Sequence, residues 1–136
     1  MSFFTTNDLV KINFHDYGIQ LNQPLILIGG YSSSEVTWFA QIETFVNAGY
    51  RVITYDYRSH GDSQQVDYGL TLHRLAMDLK ELIDYLQLKN VVLIGHSMGA
   101  ATIMAYEELF TDENVSAIIT EDQAPTFFKS ADWLNG

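Results

Sequence analysis

Cysteine is absent from the 136-residue chain, which excludes disulfides, thiolate nucleophiles and cysteine-based metal sites. The amino terminus, Met1-Ser2-Phe3-Phe4-Thr5-Thr6-Asn7-Asp8, has no basic stretch followed by a long apolar run. No stretch elsewhere approaches the roughly 20 consecutive apolar residues that a spanning helix needs. The expectation is a cytoplasmic chain with neither signal peptide nor membrane segment. Basic residues are scarce too: 7 lysines and arginines stand against 17 acidic residues, a formal net charge of −10. Nucleic acids and anionic membranes reward basic patches, so this balance argues against both as partners. Repeats, low-complexity tracts and linkers are also missing. The length suits one domain or a large part of one, and 47% hydrophobic residues suffice for a core without covalent staples.

What is present is an alternation of apolar strands and amphipathic helices. Residues 9–14 alternate apolar and polar, as a half-exposed antiparallel strand does. Residues 25–28, 51–55 and 91–94 are continuous apolar runs, the mark of parallel strands covered on both faces, and 115–120 is a further one. Between them the spacing predicts three helices. The first covers 33–48, with Val36, Trp38, Phe39, Ile42, Phe45 and Val46 turned inward, Gly49 as its stop, and a capping box between Ser32 and Glu35. The second covers 72–86, where Leu72, Leu75, Ala76, Leu79, Leu82, Ile83 and Leu86 follow a 3-4 rhythm. On it Arg74–Asp78 and Lys80–Asp84 are expected as i,i+4 charge pairs facing water. The third opens after Gly99. Three successive strand–helix–strand crossovers specify an α/β fold with a doubly wound, mostly parallel sheet.

The turn between the run at 91–94 and the third helix reads Gly95-His96-Ser97-Met98-Gly99. Gly-x-Ser-x-Gly alone is a weak pattern, and a serine before a helix is often only a cap. Between a buried strand and a helix it describes a nucleophile elbow, which holds the serine at the carboxyl edge of the sheet over the positive end of the helix. Ser97 is therefore the candidate nucleophile. Gly29-Gly30-Tyr31 follows the first parallel strand, where ligands of such sheets bind. The amides of Tyr31 and Met98 are the candidate oxyanion hole; a plain Gly-Gly turn is the alternative for the first of them. The loop Asp56-Tyr57-Arg58-Ser59-His60-Gly61-Asp62-Ser63 is read as self-bonded turn chemistry rather than as a source of triad members. His96 is too constrained within the elbow to reach its neighbour's hydroxyl, and His15 and His73 read as surface or packing residues.

Together, Gly29-Gly30-Tyr31, Trp38, the 56–63 loop and Gly95-to-Gly99 with Ala100 stand in the order found in the α/β-hydrolase superfamily. The chain resembles that superfamily over nearly its whole length, its serine esterases and cofactor-free haloperoxidases in particular. Gly29 departs from the pattern, because the family usually has histidine before the oxyanion glycine. The resemblance implies that residues 1–136 are the N-terminal part of a single domain, truncated after the sixth core strand. Family members run nucleophile, acid, histidine along the chain, so the histidine is expected outside this sequence. Some relatives carry the acid after the strand represented by 115–120, where Asp122 is the matching position; a carboxylate closing a turn before Pro125 is the alternative.

The activity so implied is hydrolysis of a small carboxylic ester through an acyl-enzyme on Ser97, with no metal or organic cofactor. Without the histidine the serine hydroxyl stays protonated and weakly nucleophilic, so the chain alone is expected to be weak or inactive. The 115–120 strand is expected at an open sheet edge, available to a complementing C-terminal half or to self-association. Phe127, Phe128, Trp133 and Leu134 would either fold over that edge or meet a partner. A second reading is a non-catalytic scaffold using the edge as an interaction module. Dehalogenase or epoxide chemistry is set aside because those relatives use a carboxylate nucleophile where this chain has Ser97.

Overall fold

The continuous apolar runs form the centre of one sheet. In the computed structural model, which describes residues 2–122, β3 (Pro24–Ile28) lies between two parallel neighbours, β4 (Arg51–Tyr55) and β5 (Val91–His96). The strand β6 (Val115–Glu121) runs parallel to β5 on its other side. On the opposite flank β2 (Lys11–Tyr17) pairs antiparallel with β4, and β1 (Ser2–Thr5) antiparallel with β2. The sheet order is β1-β2-β4-β3-β5-β6.

Successive side chains of a strand point to opposite faces, and here each face finds its own cover. Leu25, Leu27, Val52 and Ile94 pack with Trp38, Ile42, Phe45 and Val46 from α1 (Phe39–Asn47) and the turn before it. Ile26, Ile28, Ile53 and Leu93 pack on the other face with Leu75 and Leu79 of α2 (Leu72–Tyr85) and Ile103 of α3 (Met98–Phe110). That is why the central strands are mostly apolar, since neither face meets water. Each such side chain fully buried contributes about 1.5–3 kcal/mol.

The connections decide where a site can form. From β3 the chain crosses to β4 on one side, whereas from β5 it crosses to β6 on the other. The loops after β3 and β5 thus leave in opposite directions, opening a crevice at the carboxyl ends of adjacent strands.

Several local expectations are corrected. Residues 33–48 are not one helix: a 3₁₀ turn at Glu35–Trp38 precedes α1. Val36 and Phe39 are exposed, so only Trp38, Ile42, Phe45 and Val46 of the inner set face the sheet. Ser34, not Ser32, stands before the 3₁₀ turn, and it makes no side-chain cap bond. The strand expected at 9–14 starts at Lys11, because Leu9 adopts a left-handed conformation (φ 67°) in the turn from β1 and is exposed. Its alternation also fails at Asn13, which is buried with Nδ2 donating to Asp56 Oδ2 at 3.0 Å. The sequence reading did not anticipate β1.

The largest correction concerns Asp78. It does not face water beside Arg74; it is 1% exposed and sits against Arg58, which is fully buried. Arg58 Nε and Nη2 donate to the two Asp78 oxygens, each at 2.8 Å, and Nη1 donates to Asp8 at 2.9 Å. Arg74 joins the same carboxylates and Glu81 from the outside. The cluster clamps the loop after β4 to α2 and to the β1–β2 turn. Lys80–Asp84 is the outward pair that was expected. The strand β6 does lie at the edge of the sheet, with Ile119 53% exposed and an irregularity in its register beside Val91. Phe127, Phe128, Trp133 and Leu134 lie outside the described residues. Among the described residues no helix is long and apolar enough to cross a membrane.

Candidate active site

Ser97 occupies the one-residue turn between β5 and α3, with φ 55° and ψ −115°. A non-glycine residue there carries strain of order 1–3 kcal/mol, which persists only if the surroundings enforce it. They do so from both sides. The serine amide donates to the carbonyl of Glu121 in β6 at 2.9 Å, and its carbonyl accepts from Ala101 of α3 at 3.2 Å. The sharpness of the turn explains the flanking glycines. A Cβ on Gly95 would lie 2.6 Å from the Gly99 carbonyl, and one on Gly99 would overlap the carbonyl of Ile28. The Ser97 side chain does not cap α3 and is half-buried, its hydroxyl left to the crevice.

The loop after β3 packs against this turn. A Cβ on Gly30 would stand 3.4 Å from the Cβ of Ser97. Ser33 fixes the loop, with its amide and its hydroxyl both donating to the Gly30 carbonyl at 3.2 and 2.7 Å. Its Oγ also occupies the place a Cβ on Gly29 would take, so histidine at that position would require Ser33 to move. Among the described residues, neither the Tyr31 nor the Met98 amide donates to a turn, loop or cap carbonyl. Met98 is the first residue of α3, whose opening amides have no partner inside the helix. Among the described residues both amides thus lack a backbone partner, and the positive end of the helix dipole lies at Met98.

Two cavities flank the elbow. One of about 380 Å³ is bordered by Gly29, Gly30, Trp38, His96, Ser97 and Glu121. The other, of about 410 Å³, is bordered by Tyr31, His60, Leu70, Leu75 and Met98. Tyr31 borders both. A larger apolar groove of about 590 Å³ lies beside α1 and the end of β2, among Tyr17, Val36, Phe39, Ile42 and Val46, and includes no residue of the turn at 95–99.

The loop after β4 is self-bonded. The Asp56 carboxylate accepts from Asn13 Nδ2 and from the Asp62 amide, both at 3.0 Å, and Ser63 Oγ donates to the Asp56 carbonyl at 2.6 Å. Tyr57 reaches α3: Thr102 Oγ1 donates to the Met98 carbonyl at 2.9 Å and accepts from the Tyr57 hydroxyl at 3.0 Å. Burial holds the Tyr57 phenol well above its ordinary pKa, so it remains a donor. Sequence reasoning missed this tie between the β4 loop and the first turn of α3, since no periodicity signals it. His96 is exposed, with Nε2 3.8 Å from Asp122 Oδ2. Asp122 itself is largely exposed at a left-handed turn, φ 56°. Among the described residues no group of three or more His, Asp or Glu side chains is placed to hold a metal.

Comparison with known proteins points the same way. A family model described as the alpha/beta hydrolase fold matches residues 23–135. A non-heme chloroperoxidase of Burkholderia pyrrocinia is 40% identical over 106 residues, 78% of this chain and 38% of that protein. Among solved structures, an esterase from Exiguobacterium antarcticum superposes with a TM-score of 0.92 at 31% identity, over 99% of this chain and 50% of that one. A bromoperoxidase from Bacillus anthracis gives 0.88 at 31% identity with the same coverage. The chain spans less than half the length of the curated relatives it matches.

Proposed function

Because this chain belongs to the alpha/beta hydrolase fold family, we propose that it carries the nucleophile half of a serine esterase, with Ser97 attacking the carbonyl of a small ester. The observation that carries the reading is the backbone of Ser97, held at φ 55° and ψ −115° with its hydroxyl uncommitted and two free amides beside it. Attack would put negative charge on the carbonyl oxygen, which would accept hydrogen bonds donated by the Tyr31 and Met98 amides. Losing one such donor typically lowers kcat about 10²- to 10³-fold. Collapse of the tetrahedral species would expel the alcohol and leave an acyl-Ser97, which water then hydrolyses.

A base is needed to take the serine proton. Among the described residues no histidine hydrogen-bonds to Ser97, so the base belongs to polypeptide outside them, docked along β6. Asp122 follows β6 directly and is the candidate acid to orient such a histidine, provided it leaves His96. On this reading the chain alone turns over esters weakly. Supplying the C-terminal half of a curated relative should raise hydrolysis of p-nitrophenyl acetate, and Ser97→Ala should abolish the gain. An unchanged rate in Ser97→Ala would overturn the assignment.

The exposed β6 edge supports a second reading, a non-catalytic module that pairs with another chain through that strand. Under it the Ser97→Ala variant would associate as the wild type does, and no ester would be turned over.

A further inference from the structure

Of the described residues that border the cavity beside Met98, His60 carries chemistry that Ser97 and the Tyr31 and Met98 amides leave unused. Its Nδ1 lies 3.0 Å from the carbonyl oxygen of Arg58. A carbonyl only accepts, so Nδ1 carries the proton, and in the neutral ring Nε2 is left as an acceptor. The ring cannot easily turn away from this arrangement. It stands edge-on to Tyr31 and to Tyr57, with centroids 5.6 Å from each and interplanar angles of 82° and 70°. The carbonyl that fixes the tautomer belongs to Arg58, which the buried Asp78 and the partly exposed Asp8 hold in place.

The cavity on this side of the elbow is apolar at Leu70, Leu75 and Met98. Ser59, the other polar group of the β4 loop there, is already occupied: its hydroxyl donates to the Val66 carbonyl at 2.6 Å and accepts from the Val66 amide at 2.9 Å. Among the described residues nothing donates to His60 Nε2. The cavity therefore offers one acceptor of fixed orientation, His60 Nε2, beside the rotatable Ser32 hydroxyl and three apolar side chains, next to Tyr31.

We infer that His60 is a specificity residue: its Nε2 accepts a hydrogen bond from a hydroxyl on the half of the ester that fills the cavity between Tyr31, Leu75 and Met98, so the site favours hydroxy-esters over their methyl ethers. The inference rests on the esterase reading for the placement of the ester carbonyl, but the hydrogen bond needs no nucleophile. A hydroxyl loses little by exchanging water for Nε2, whereas a methyl ether brings no donor and buries the acceptor unpaired.

The test uses the Ser97→Ala chain, which cannot turn the probes over. Two matched pairs place the hydroxyl on either half: methyl glycolate against methyl methoxyacetate, and 2-hydroxyethyl acetate against 2-methoxyethyl acetate. Binding is followed by the ¹⁵N resonances of the His60 ring. In at least one pair the hydroxy-ester should bind about three- to tenfold more tightly and move the Nε2 signal. His60→Phe, which keeps a ring edge for Tyr31 and Tyr57, should erase the preference, and His60→Gln, which restores an acceptor, should recover part of it. Equal binding within both pairs, a preference that survives His60→Phe, or a stationary Nε2 signal would overturn the inference. Failure of Ser97 to react with a fluorophosphonate in the complex with the C-terminal half of a curated relative, with the hydroxyl preference intact, would instead sink the esterase reading alone.

Discussion

Gly30 lies so close to Ser97 that a methyl group on it would stand 3.4 Å from the serine Cβ. This contact joins the loops after β3 and β5, the two adjacent strands whose connections diverge. It brings the loop that leads to Tyr31 against the turn that opens α3 at Met98. The site thus follows from sheet topology and from two tight backbone approaches rather than from an extended set of side chains. Its rigidity is a matter of glycine placement, which leads to the first prediction.

Gly99→Ala places a methyl group against the Ile28 carbonyl, where backbone rather than a flexible side chain would have to move. Overpacking of this kind costs about 1–3 kcal/mol and occasionally more. Urea unfolding should show a lowered midpoint with an unchanged slope. Gly49→Ala is the control: φ is +94° but no atom lies within 4 Å of the new methyl group, so only the backbone preference of about 1 kcal/mol is lost.

Asp78→Ala leaves the Arg58 guanidinium buried without its main partner. Breaking such a pair from one side typically costs about 3–5 kcal/mol. Replacing both partners, Arg58→Met with Asp78→Leu, should recover much of that loss, since no buried charge remains. Guanidinium denaturation of the single and double variants measures the difference.

The Arg58 guanidinium holds the Asp8 carboxyl below its ordinary 3.8, down to about 2, with Thr6 and Arg74 adding to the effect against some desolvation. A carboxyl depressed by folding contributes stability that is present above 3.8 and is lost as pH falls toward about 2. Asp8→Asn should therefore be less stable than the wild type at neutral pH, by about 1 kcal/mol or less because the pair is partly in water. The gap should close across that acid window. Thermal melts of both proteins at several pH values test it; a gap that widens on acidification would refute the assignment.

How much of this was legible in the sequence depends on the range of the interactions. The β3, β4 and β5 runs were readable because double-sided burial keeps them mostly apolar, whereas β6 was readable as an apolar run although it lies at the sheet edge and is largely exposed. The tight turn at 95–99 was readable because Gly95 and Gly99 are local requirements of that turn. The helix at 33–48 was misread because apolar spacing through Val36 and Phe39 continued the rhythm across a 3₁₀ turn, and both residues are exposed. Asp78 was misread for a different reason. The i,i+4 pattern with Arg74 is real, but the choice between surface and core was made by Arg58, 20 residues earlier in the chain. Asn13 broke its strand's alternation for the same kind of reason, through Asp56, 43 residues away. Nothing local in the sequence encodes either partner.

The most direct test of the central claim is fluorophosphonate labelling read by intact mass, on the chain alone and with the C-terminal half of a curated relative bound. The account predicts one adduct on Ser97 that forms rapidly only in the complex and disappears in Ser97→Ala. An adduct that survives Ser97→Ala, one that forms as fast on the chain alone, or none in a complex that co-elutes would contradict it.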